Sequence, residues 1–184
     1  LGIIINAVIK SSNSFGVVSD INSSQSEEAQ SETVDPNKVV ATATVVNTGD
    51  IMLHSTVLDG AKTADGNYDF SAFFTAAQDY FKKADLATAN FEVTLGGTES
   101  GAFSGYPAFN SPDTLLDTIT NSGIGFLTTA NNHCYDTGLY GLKRTVQQLK
   151  AKNISFSGTK ESENDPTYIV KDVNILADTI RKAF

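Results

Sequence analysis

Apolar and polar positions fall into blocks along this chain, and the blocks alternate between two periods. Ala43-Thr44-Val45-Val46-Asn47-Thr48-Gly49-Asp50 is a β-rich run that closes in Gly-Asp. Leu86-Ala87-Thr88-Ala89-Asn90-Phe91-Glu92 closes in Asn-x-Glu, and Ile124-Gly125-Phe126-Leu127-Thr128-Thr129-Ala130 runs into Asn131-Asn132-His133. The length of these runs and their β-branched and aromatic content predict buried strands. Between them the period is helical. Phe70, Phe73, Phe74, Ala77 and Phe81 share one face of a helix expected over residues 70–83, capped by Asp69 or Ser71. These phenylalanines read as core and not as a ligand box. Ser111-Pro112 opens the next helix, with Ser111 as cap, proline in the first turn, Leu115, Leu116 and Ile119 inward, and an end at Asn121-Ser122-Gly123. Leu139, Leu142, Val146 and Leu149 set a third helix, from Leu139 to Lys152. Ile154 to Gly158 reads as a fourth strand, Tyr168-Ile169-Val170 as an edge strand, and Ile175 to Phe184 as a short terminal helix. Strands alternating with helices imply an α/β fold with parallel pairing through right-handed crossovers.

The first block follows a different rule. Residues 1–10 are almost wholly apolar up to Lys10, and no Met opens them. A membrane span takes about 20 apolar residues, so this segment reads as the remnant of an N-terminal anchor or signal sequence, with an ordinary first strand as the alternative. Residues 11–38 are rich in Ser, Asn, Gln and Glu without apolar periodicity. Such a segment buries too little area to offset its ordering entropy, so a mobile polar linker is expected there. The folded domain is then residues 39–184.

Composition narrows the function. The chain has 184 residues, 40% of them hydrophobic with 11 Phe, enough for one domain with a real core. The net charge of -8 with no basic patch excludes nucleic acid as a partner and gives no attraction to anionic lipid. The single Cys134 excludes an internal disulfide, and a small buried filler fits it better than a reactive thiol.

Chemistry gathers at the strand ends. Asp50 with His54 nearby, Asn90 with Glu92, and Asn131-Asn132-His133 each follow an apolar run. In open α/β sheets the carboxyl ends of the strands carry the ligand site. Carboxylate and amide oxygens suit hard divalent cations, and imidazole suits transition metals. If the strands lie side by side, these groups converge on one sheet edge. A polar turn that caps the following helix is the bland alternative for the Asn-Asn-His triplet.

With these residues in view, the chain resembles the bacterial poly-γ-glutamate capsule biosynthesis proteins of the CapA family. The matching pieces are Gly49-Asp50-Ile51-Met52-Leu53, Ala84-Asp85-Leu86-Ala87 running into Ala89-Asn90-Phe91-Glu92, Tyr106-Pro107 with Phe109-Asn110-Ser111-Pro112, Ala130-Asn131-Asn132-His133, Asp136 with Gly138, and Gly158. They span Val39 to Val173 in order. The resemblance implies a metallophosphatase-like α/β/β/α sandwich. It implies metal-ligand roles for Asp50, Glu92 and Asn132, with Asn90 beside Glu92 and His54 as a further ligand or a plain loop histidine. It implies that His133 donates a proton to a leaving oxygen and that Asp136 orients it. The cofactor would be a divalent metal, Mn or Mg. The partners would be membrane-bound polymer synthase components, the substrate an anionic polymer or phosphoester, and the location the cell surface behind an N-terminal membrane anchor. A non-catalytic scaffold domain and a generic phosphodiesterase are the competing functions.

One departure limits the resemblance. The family pattern continues with two later His-bearing motifs, whereas this chain holds only His54 and His133. Truncation, internal deletion and a fragment of a longer product all stay open. As written, the ligand set supports one weakly bound metal at most.

Overall fold

The computed structural model describes residues 4–9 and 43–175. In chain order the elements are β1 (Ile4–Ile9), β2 (Val45–Ile51), α1 (Ser55–Ala61), α2 (Ser71–Phe74), α3 (Gln78–Lys83), β3 (Leu86–Phe91), α4 (Thr114–Ser122), β4 (Phe126–Thr128), α5 (Gly138–Ala151), β5 (Ser155–Ser157) and β6 (Val170–Ile175). β2, β3, β4 and β5 form one sheet in that order, and every pairing in it is parallel. The expected linker and terminal helix fall outside the described residues, except that Ile175 ends β6. The apolar N-terminal block forms strand β1, paired in parallel with β6.

Register assigns each side chain to a face. Ala87, Ala89 and Phe91 of β3 share a face with Val46 and Ile51 of β2, Leu127 of β4 and Phe156 of β5. The helices cover this face, and it carries the main core with Leu58, Phe70, Phe81, Leu115, Leu116, Ile119 and Leu149. Leu86 and Phe126 point the other way and close a second, small core with Val173 of β6. Helices, the four-stranded sheet and the two-stranded sheet thus stack as successive layers. This is an α/β fold of the metallophosphatase-like kind; among the described residues no helix covers the outer side of the second sheet.

The helical expectations shift in detail. The stretch 70–83 is two short helices, α2 and α3, in place of one. Thr75 Oγ1 donates back to the Ser71 carbonyl at 3.2 Å, a bond that bends helices, and the apolar stripe loses its phase there. Phe70 and Phe81 are buried, but Phe73 is 52% exposed. The Asp69 carboxylate does take the Ser71 N–H, at 2.9 Å. In α4, Leu115, Leu116 and Ile119 are fully buried and the helix ends at Gly123. Ser111 does not cap it: α4 starts at Thr114, and the buried Ser111 hydroxyl has no hydrogen-bond partner among the described residues. In α5 the inward stripe is Gly141, Thr145, Val146 and Leu149, while Leu139 is exposed. The stripe rotates because the Thr145 hydroxyl accepts the Leu95 N–H at 2.8 Å and Gly141 sits against the Thr137 side chain, where a Cβ would collide.

Candidate active site

The carboxyl edge of the sheet is built by three strand exits. β2 contributes Asp50 through an irregularity. Asn47 pairs with Thr88, yet Asp50 and not Gly49 pairs with Asn90, so one extra residue is accommodated between them. Gly49 takes φ +80°, which costs glycine little and a Cβ-bearing residue more. Without the bulge Asp50 would fall on the helix-covered face. With it, Asp50 stands beside Asn90.

From there a connected set of polar groups crosses the edge. Asn90 Nδ2 donates to Asp50 Oδ1 at 2.9 Å and to Glu92 Oε2 at 2.6 Å. Asn90 Oδ1 accepts from Asn131 Nδ2 at 3.1 Å and from Thr128 Oγ1 at 3.3 Å. Asn131 Nδ2 also donates to the Phe91 carbonyl at 2.9 Å, and its Oδ1 accepts the His133 N–H at 3.0 Å. His133 Nδ1 lies 2.8 Å from Asp136 Oδ2, and both side chains are largely buried. The same Asp136 oxygen accepts the Phe109 N–H at 2.7 Å.

The wall of the site is aromatic. The fully buried Phe109 meets His133 edge to face with centroids 4.7 Å apart, and meets His54 likewise at 5.3 Å. His54 itself is exposed at the N-terminus of α1. Gly105 presses on that turn, since a Cβ there would lie 2.5 Å from the Ser55 nitrogen. Behind the edge, Arg144 of α5 makes a bidentate pair with Asp113 and donates to the Leu95 carbonyl, all at 2.7–2.8 Å. The Asp113 partner raises the Arg144 pKa above its ordinary value.

The residues expected from sequence are therefore distributed as follows. Asp50, Asn90 and Glu92 form one hydrogen-bonded group, and His133 and Asp136 form a second, joined to the first by Asn131. His54 reaches the site only through Phe109. Asn132 is exposed beside His133 and makes no side-chain hydrogen bond among the described residues. Sequence reasoning counted Asn131 only among the strand-end groups that could ligate a metal, and it gave Phe109 no role. No signal in the sequence shows which way an amide turns.

Chemically, the arrangement offers one imidazole poised by a carboxylate. Asp136 occupies Nδ1 and fixes the ring, so Nε2 is the nitrogen left to exchange a proton. The donor set fits a hard divalent cation only in part. Asp50 and Glu92 bring oxygens within reach of a single atom, but that atom is now the Asn90 amide nitrogen, which is not a ligand. Among the described residues no three His, Cys, Asp or Glu side chains cluster at metal-binding spacing. Asp50 and Glu92 are the two carboxylates at this edge that would hold an ion.

A search among curated proteins finds no match. The sequence does match a protein family over residues 44–177, a span that holds the whole four-stranded sheet and every site residue from Asp50 to Asp136. That family is the bacterial capsule synthesis protein family PGA_cap, and this chain belongs to it.

Proposed function

We propose that this capsule-synthesis protein works at the cell surface and cleaves or transfers an ester-like bond, a phosphoester or a linkage in an anionic polymer, at the carboxyl edge of its sheet. The observation that supports this reading is the His133–Asp136 pair at 2.8 Å, set against Phe109 and joined through Asn131 to the Asp50–Asn90–Glu92 group. His133 Nε2 gives a proton to the leaving oxygen. Asp136 holds the ring. A divalent cation, Mn or Mg, held by Asp50 and Glu92 would polarise the substrate oxygen when bound. Membrane-bound polymer synthase components are the partners this role calls for.

The test is hydrolysis of a chromogenic phosphodiester with and without added Mn²⁺, together with His133→Gln. A positioned general acid contributes about 10²–10⁴-fold, so His133→Gln should lower turnover by that order while leaving the fold intact. Equal turnover in the two proteins rejects the role of His133.

The second reading is a binding or scaffold domain without chemistry. No turnover with any phosphodiester, alongside loss of polymer when the gene is deleted, would select it.

A further inference from the structure

The orientation of one amide in this site is settled by backbone groups. Asn131 Nδ2 faces the Phe91 carbonyl, which only accepts, and Asn131 Oδ1 faces the His133 N–H, which only donates. The two atoms therefore cannot be exchanged. Asn131 Nδ2 then fixes Asn90 with its oxygen inward, and the Asn90 amino group must point at Asp50 and Glu92. Both ends of the chain of bonds agree, because two carboxylates require a donor between them.

We infer that Asn131 is a positioning residue that couples the state of the Asp50–Glu92 pair to His133. The inference deepens the proposed function, in that His133 is the group being positioned. The coupling has a physical cause. Neutralising the carboxylates, by mutation or by a cation, removes the two acceptors of the Asn90 amino group and leaves the amide held only through its oxygen, by Asn131 Nδ2 and Thr128 Oγ1. If Asn90 turns its oxygen outward, its nitrogen meets Asn131 Nδ2, and two donors face each other. Asn131 cannot turn in response without losing both the Phe91 carbonyl and the His133 N–H. It must shift instead, and the segment that bears His133 shifts with it. An empty carboxylate pair and an occupied one should thus present His133 in different positions.

The experiment is a double-mutant cycle read by ¹⁵N NMR of the full chain, using Asp50→Ala and Asn131→Ala. Asp50 is exposed and its removal should leave the fold intact. In the otherwise native protein, Asp50→Ala is expected to move both the Asn90 side-chain amide signals and the His133 backbone amide signal. In the Asn131→Ala background the Asn90 response is expected to persist and the His133 response to be lost. An unchanged His133 response in that background overturns the inference. If Asn131→Ala does not fold, the single variant still decides: Asn90 moving while His133 stays still overturns the coupling. Titration with MgCl₂ separates this inference from the metal reading. A response to Asp50→Ala with none to Mg²⁺ leaves the coupling standing and removes the cation from the proposed function.

Discussion

Arg144 shows what a single side chain can hold. Its guanidinium bonds both oxygens of Asp113 and the carbonyl of the fully buried Leu95, so it ties α5 to the start of α4 and to the strand exit beside the site. Arg144→Met keeps the apolar stem and leaves those acceptors without a partner. An unsatisfied buried carbonyl such as that of Leu95 costs about 1–3 kcal/mol, so the free energy of unfolding should fall by about that amount, read as a lower urea midpoint with an unchanged slope. A midpoint within error of the parent would mean that water replaces the guanidinium at no cost. At this scale the sequence was informative about identity and silent about direction. Asp50, Asn90, Glu92, His133 and Asp136 stand out as polar residues after apolar runs. Asn90 nevertheless turns its nitrogen to the carboxylates, because Asn131 and two distant backbone groups dictate it. Phe109 is core, yet its ring also packs on His133 and its N–H holds Asp136.

Among the elements, strands were easier to read than helices. A buried parallel strand announces itself as a continuous apolar run, as β3 and β4 do; β2 and β5 mix polar and apolar residues and are more exposed, and they are read from β-rich alternation. α1 has no comparable signal: in Ser55–Ala61 only Leu58 and Ala61 are buried, and the stretch includes a glycine. The break between α2 and α3 depends on one hydroxyl that bonds backwards, which periodicity cannot reveal. The bulge in β2 has a visible agent in Gly49, although its effect on Asp50 appears only in the register. A left-handed backbone costs a Cβ-bearing residue about 1–2 kcal/mol, and Gly49→Val should lower stability by at least this much in a denaturant melt. No loss of stability would show that the bulge relaxes around the new side chain.

For the molecule as a whole, charge sets the terms on which a substrate arrives. The net charge of -8, with Asp50, Glu92 and Asp136 at the sheet edge, repels a polyanion. Salt shortens the Debye length from about 30 Å at 0.01 M to about 10 Å at 0.1 M. Apparent affinity for an anionic polymer should therefore rise over that range, while that for a neutral ester should stay flat. A fall in affinity with salt would point to a cationic surface outside the described residues. The parallel topology has a separate consequence, in time and not in space. Asn90 meets Asp50 across 40 residues and Asn131 across 41. Each meeting requires closure of a long crossover before any contact rewards it, which is slow. The polar chain from Asp50 to His133 is therefore complete only when β2, β3 and β4 have all paired. A newly made chain thus gains this edge only as the sheet closes, and a copy in which one of these strands is unpaired lacks the complete chain of bonds.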